Sequence, residues 1–406
     1  MTGLEARAVI MPIRPLRISA FTLCSAAGDG RRPTLAALRE RRSGLRRNDF
    51  GATPIDTWIG RVPDLEKPSL PPQYEQWDCR NNRLAWRGLM TDGFRDAVLQ
   101  ARERYGADRV AVIVGTSTSS IGASEDAYTR LEADGRYPAD LRRPNIHTPH
   151  SLGDFVQHAL ELTGISVTVA TACSSSAKVF AQAERLMRLG LADAAVVGGV
   201  DTLCGSVLFG FNSLELVSAQ PCRPFDVERR GINLGEAAGF ALLERDASTG
   251  PWLIGYGESN DAHHMSTPHP DGIGARSALA DALARADVSA AQIGYINLHG
   301  TASQKNDEME ARVVADLFAP DAVAGSTKGW TGHTLGAAGI VEAGITLLAL
   351  EHGLLPGTLN AQALDPACGP QIRIENTERS VERALSFSFG FGGSNCVLAF
   401  ARSDVQ

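Results

Sequence analysis

The sequence predicts an α/β protein built from two tandem, related halves, and three observations lead there. First, the β-branched run Val167-Thr168-Val169-Ala170 predicts a buried strand that breaks into small residues and then into a helix over 177–189. Second, two later stretches repeat this pattern of a strand ending in a glycine-rich turn, one at Asn297-Leu298-His299-Gly300-Thr301 and one at Lys328-Gly329-Trp330-Thr331-Gly332-His333. Third, the chain repeats itself. A helix opened by Cys173 ends near Gly190, and a helix opened by Gly336 ends near Gly353. Downstream of each, a glycine-rich segment turns into a strand, at Gly235–Arg245 and again at Gly392–Arg402. Pro251 is the natural boundary, because Trp252 to Tyr256 begins a new strand. The halves are therefore 16–250 and 251–406, with residues 1–15 as a loose tail in which Met11 is an alternative start.

The first turn carries a nucleophile candidate. Cys173, in Thr171-Ala172-Cys173-Ser174-Ser175, is expected at or just before a helix N-terminus. Unpaired N–H groups and the helix dipole favour a thiolate there, and small neighbours leave room for a substrate. A lone cysteine is more often a buried structural residue. Two distant segments supply partners that change this balance. His299 follows the short apolar run Ile293–Leu298, and His333 joins a strand-like stretch to a small-residue helix. One cysteine and two histidines at strand ends fit the way α/β layers display active-site residues. Glu342 lies on a helix otherwise made of Gly, Ala, Ile, Val and Leu. A carboxylate there needs a partner.

Composition narrows the remaining possibilities. With 44% hydrophobic residues the chain builds a sizeable core, and its net charge of −7 argues against general nucleic-acid or anionic-membrane binding. The seven cysteines form no CxxC pair, which suits a reducing cytoplasm and no metal cluster. No apolar run approaches the ~20 residues of a membrane span, and the first residues lack the apolar core of a secretory signal.

The Cys of Thr-Ala-Cys-Ser-Ser, the His of His-Gly-Thr and the His of Gly-His-Thr-Leu-Gly-Ala-Ala-Gly resemble those of the β-ketoacyl-acyl-carrier-protein synthases. The subgroup is the Cys-His-His type, ketoacyl synthases I and II, of the thiolase superfamily. Arg223-Pro224-Phe225-Asp226, Gly235-Glu236-Ala237-Ala238-Gly239, Asn306-Asp307 and Phe389-Gly390-Phe391-Gly392-Gly393-Ser394-Asn395 agree, so the resemblance runs from about Leu16 to Arg402. It implies a thiolase-like five-layer α-β-α-β-α fold built from two pseudo-symmetric halves, with helices 177–189 and 336–350 as the buried central layer.

It also implies decarboxylative condensation without an external cofactor, in fatty-acid or polyketide-like synthesis, aryl polyenes included. Cys173 would carry the acyl group, with His299 and His333 stabilising the enolate. Backbone N–H groups of Cys173 and Phe391 would hold the oxyanion, and Phe391 would gate the acyl pocket. Lys328 and Glu342 would support the site electrostatically, Asp307 structurally, and Thr267, Thr301 and Gly392 would meet the substrate. The partners implied are acyl- and malonyl-loaded carrier proteins, docking at Arg80 and Arg83, and a second subunit. That subunit is either another copy or a homologous chain-length-factor-like chain. The alternative from another class is that this chain is itself such a non-catalytic subunit. Thiolase fits poorly because Cys396 falls on the expected last strand, and a type III synthase would pair its His with Asn. The hydroxyl-rich run Thr116–Ser120 is expected at the subunit interface and pocket floor.

Overall fold

A computed structural model describes residues 10–52, 54–67 and 69–402. Ten strands form its framework. In the first half they are β1 (Leu16–Ser25), β2 (Val110–Gly115), β3 (Ser166–Val169), β4 (Ala194–Asp201) and β5 (Ala237–Glu244). In the second they are β6 (Trp252–Asn260), β7 (Tyr295–Asn297), β8 (Val323–Gly325), β9 (Arg383–Gly390) and β10 (Ser394–Ala401). The first half runs β3-β2-β4-β5-β1 and the second β8-β7-β9-β10-β6, so each strand corresponds to the one five later. The pairings correspond too. β2 is parallel to β3 and β4, as β7 is to β8 and β9, and the rest are antiparallel. The two sheets are not separate: β1 and β6 pair at Leu16↔Leu253 and Arg17↔Trp252, joining them into one path.

Two helices, α4 (Ser175–Arg188) and α8 (Ala338–His352), lie between the sheets. On the outer faces lie α1 (Arg80–Met90), α2 (Phe94–Tyr105) and α3 (Ser151–Ala159) against the first sheet, and α6 (Ile273–Ala286) and α7 (Gln304–Leu317) against the second. The strands alternate accordingly. Ala111 and Ile113 of β2 enter the central core with Phe180 and Ile340, while Val110, Val112 and Val114 join Phe94 and Phe155 outside. In β10, Cys396, Leu398 and Phe400 face the centre, and Val397 and Ala399 face Ala278 and Val314. Small residues let the central helices meet: a Cβ on Gly339 would sit 2.4 Å from the backbone nitrogen of Ala177.

Some sequence expectations shift. β3 is an edge strand, half-exposed rather than buried, because nothing among the described residues pairs with its outer side. α8 begins at Ala338, not Gly336, because Leu335 takes a left-handed φ of +58° and a short turn uses residues 335–337. The stretch Leu335–His352 has the length and apolarity of a membrane span, but 89% of it is buried as a core element. Residues 1–9 of the expected tail lie outside the described residues. Ile13 is tied down, its N–H donating to the Arg285 carbonyl at 3.0 Å.

Candidate active site

The turn between β3 and α4 presents Cys173. Ala172 takes a left-handed φ of +51°, which costs a non-glycine residue about 1–2 kcal/mol. Local hydrogen bonds hold the turn. Ser175 Oγ donates to the Ala172 carbonyl at 2.6 Å and accepts the Thr171 N–H at 2.8 Å. The sulfur is buried just ahead of the helix, and the Phe391 N–H points to it from the β9–β10 turn. Burial nevertheless pushes the thiol up to about 11, against the opposing pull of Lys328 and that N–H. The thiolate expected at a helix N-terminus is therefore not the resting form, because desolvation outweighs the helix and the lysine.

The pseudo-symmetric partner of that turn, after β8, presents His333. Its Nε2 lies 3.0 Å from Cys173 Sγ, and its Nδ1 accepts the Leu335 N–H at 3.2 Å. An acceptor Nδ1 leaves the proton on Nε2, so the ring offers a donor to the space beside the sulfur. The backbone of His333 is locked as well: its N–H donates to Asn233 at 2.7 Å and its carbonyl accepts from Gly235 at 2.9 Å. His299, after β7, stands perpendicular to His333 with ring centroids 5.5 Å apart. Its Nδ1 faces Lys328 Nζ at 3.4 Å, and a lysine only donates, so here too the proton is on Nε2. Burial, then the Lys328 charge, holds both histidines well below the usual imidazole range, and both are neutral.

Lys328, 1% exposed, also donates to the His299 carbonyl and pairs with Glu342 Oε1. Burial raises the Glu342 carboxyl to about 7 despite that pairing, and its Oε2 has no partner among the described residues. Asp307 accepts the Phe225 N–H at 2.8 Å and does not line the cavity. One helical turn on, Glu310 accepts the N–H groups of His299 at 2.6 Å and Gly300 at 2.8 Å. Sequence reading missed Glu310. Its signal was the i, i+3 spacing from Asp307, which puts both carboxyls on one face of α7.

A cavity of about 800 Å³ reaches Cys173, His299 and His333, and Thr267, Thr301 and Phe391 line it. Phe391 stacks on Phe211 of α5 (Gly205–Ser213), with centroids 5.5 Å apart. Gly392, expected at the substrate, is outside the lining. Its φ of +77° turns its N–H to the Met265 carbonyl at 2.7 Å. The Thr116–Ser120 run does not line this cavity either. Thr116, Ser117 and Thr118 converge on the buried Asp201 carboxylate, which also accepts the Gly336 N–H at 2.6 Å. Arg80 and Arg83 are not free for docking. Arg80 pairs with the buried Glu236 and with Glu66, and Arg83 holds Asp78 at 2.7 Å, leaving their side chains 19% and 22% exposed.

Comparisons with known proteins show the family. The profile described as Beta-ketoacyl synthase, N-terminal domain matches residues 82–248, and that of the C-terminal domain matches residues 252–362. The mitochondrial 3-oxoacyl-[acyl-carrier-protein] synthase of Arabidopsis thaliana is 34% identical over 333 residues, 76% of this chain and 72% of that protein. The 3-oxoacyl-[acyl-carrier-protein] synthase 2 of Vibrio harveyi is 30% identical over 97% of this chain and 99% of its own. Among solved structures, a ketosynthase from Xenorhabdus doucetiae in complex with its chain length factor superposes with a TM-score of 0.86. It is 36% identical, covering 96% of this chain and 98% of that one. The ishigamide ketosynthase/chain length factor gives 0.86 at 27% identity, covering 97% and 100%.

Proposed function

This chain belongs to the β-ketoacyl synthase family, and we propose that it is the active condensing subunit. It joins a Cys173-bound acyl group to malonyl-acyl-carrier protein by decarboxylative Claisen condensation. The observation behind this reading is a pair of neutral imidazoles, ring centroids 5.5 Å apart, that line one cavity with Cys173, the His333 Nε2 lying 3.0 Å from its sulfur. A non-catalytic partner subunit has no need of such a set.

In the first step Cys173 Sγ attacks the carbonyl of an acyl thioester. The oxyanion rests on the N–H groups of Cys173 and Phe391, and the carrier thiolate leaves with the proton the cysteine gives up. Malonyl thioester then takes the carrier's place. Its C–CO2 bond breaks, CO2 leaves, and the electron pair moves into an enolate whose oxygen accepts from His299 and His333. Neutral donors suit this task, because an imidazolium would hand its proton to the enolate and quench the carbanion. The α-carbon attacks the acyl-Cys173 carbonyl, the C–S bond breaks with its electron pair going to sulfur, the sulfur takes a proton from solvent to restore the thiol, and the 3-oxoacyl-carrier product leaves. Lys328 fixes the His299 tautomer, Glu310 fixes its backbone, and Thr267 and Thr301 line the path of the substrate arm.

The exposed edge of β3 supports pairing with a second copy or a homologous chain-length-factor-like subunit. Seven unpaired cysteines suit a reducing cytoplasm. Whether the product is a fatty acid, a polyketide or an aryl polyene follows from the preferred acyl group. Intact-mass spectrometry after incubation with a panel of acyl-carrier proteins tests the reading. Wild type gains the acyl mass and Cys173→Ala does not. Acylation of Cys173→Ala would overturn it.

A further inference from the structure

We infer that Arg230 and Lys305 form the carrier-reading patch of this enzyme, at the mouth of the cavity that leads to Cys173. The inference rests on the condensation reading above, which requires an acidic carrier protein to bring its arm to that mouth. Three Lys or Arg side chains line the cavity: Arg229, Arg230 and Lys305. Arg229 is buried and held by Asp365 at 2.6 Å, so it belongs to the fold. Arg230 and Lys305 are exposed, and neither makes an ion pair or side-chain hydrogen bond among the described residues.

The fold sets the two side by side. The Gly231 N–H donates to the Ala302 carbonyl at 3.0 Å, and Arg229 donates to the Gln304 carbonyl at 3.1 Å. The segments bearing Arg230 and Lys305 are thereby fastened together, and both cations stand on one rim. Three acidic residues share the cavity lining, Glu215, Glu228 and Asp261; Glu228 already faces Arg223 at 3.8 Å, and Asp261 accepts the His269 N–H at 3.1 Å and the Asn395 amide at 2.8 Å. Exposed Val227 and Met265, 52% and 70% exposed, add apolar contact beside the charges. An acidic, amphipathic carrier surface matches such a rim: unpaired cations speed encounter and set orientation, and exposed apolar side chains add contact area. Arg80 and Arg83 cannot serve in this way, because their charges are already neutralised within the fold.

The test is steady-state kinetics of wild type and the Arg230→Glu/Lys305→Glu variant. Two acyl donors are used, an acyl-carrier protein and the carrier-free acyl-N-acetylcysteamine thioester. With the carrier-borne donor the variant shows a KM raised roughly tenfold, kcat little changed, and a salt dependence of KM that flattens or reverses. With the small thioester the two proteins acylate Cys173 at the same rate. The charge-neutral Arg230→Gln/Lys305→Gln pair gives an intermediate KM, which guards against a folding effect of charge reversal. An unchanged carrier KM overturns the inference, as does a parallel loss with both donors. Wild type that neither donor acylates overturns the condensation reading itself, and the docking assignment with it.

Discussion

Removing the Lys328 charge separates two roles that one side chain combines. In Lys328→Met, Glu342 remains 3% exposed with no cation beside it. Breaking a buried pair in this way costs about 3–5 kcal/mol. The carboxyl limits the cost by taking a proton, since burial already raises it to about 7 with the lysine in place. The sign follows from linkage. A carboxyl whose folded value lies above the ordinary 4.5 holds its proton longer in the folded chain. Stability is therefore complete below about pH 4.5 and falls as pH rises through the folded value, by about 1.4 kcal/mol per unit. Without Lys328 the upper end of that window moves above 7, so the variant becomes progressively weaker from neutral to alkaline pH. In Lys328→Met/Glu342→Leu no buried charge remains, and the pair's replacement by apolar groups is close to neutral. Stability returns, but His299 Nδ1 still lacks its donor, so condensation stays roughly 10²-fold down, the worth of one oxyanion donor. Urea denaturation at several pH values, beside carrier-based condensation assays, reads both effects. Recovery of activity together with stability in the double variant would show that Lys328 acts only through its buried pair with Glu342 and not on His299.

Three further outcomes follow from the geometry. Alkylation of Cys173 by iodoacetamide, followed on its own peptide, should climb about tenfold per pH unit to about pH 10, because the thiol is held near 11; a plateau near pH 8 would contradict this. Glu310→Ala should lose roughly 2–6 kcal/mol, about 1–3 for each of the two backbone donors it leaves buried and unpaired, with Glu310→Gln losing less. A loss in Glu310→Ala below about 1 kcal/mol on chemical denaturation would count against it. Phe391→Ala removes the ring stacked on Phe211 while keeping the N–H that faces Cys173. Acyl-chain selectivity across a donor panel should broaden more than the rate of the preferred donor falls, and an unaltered selectivity profile would remove Phe391 as a gate.

The parts of this site legible in the sequence are those that local chain chemistry dictates. Cys173 and His299 each follow a strand in a turn of small residues, whereas His333, expected at a strand end, comes only after the short helix Lys328–Thr331 that follows β8. Glu342 stood out because a carboxylate interrupts an apolar helix. What escaped is set by long-range packing. Glu310 reads as one more acid on the charged helix Gln304–Leu317, and only the fold turns it towards the His299 backbone. The proton on His333 is placed by a backbone N–H, that of Leu335, which has no sequence signature beyond its left-handed turn. Arg80 and Arg83 look like a basic patch in sequence. Their true partners, Glu236 and Asp78, come from a different strand segment and from the preceding loop. β3 looks buried by composition, yet a sheet edge needs β-branched residues as much as a sheet centre does.

In the proposed mechanism two neutral imidazoles, independently of the cysteine, stabilise the enolate formed when malonyl-carrier loses CO2. The most direct test measures malonyl-carrier decarboxylation by Cys173→Ala, which cannot be acylated, and by the same protein carrying His299→Ala or His333→Ala. Cys173→Ala is expected to release CO2 and form acetyl-carrier, and each added histidine substitution to slow this by about 10²–10³-fold. Decarboxylation that persists without either histidine would contradict it.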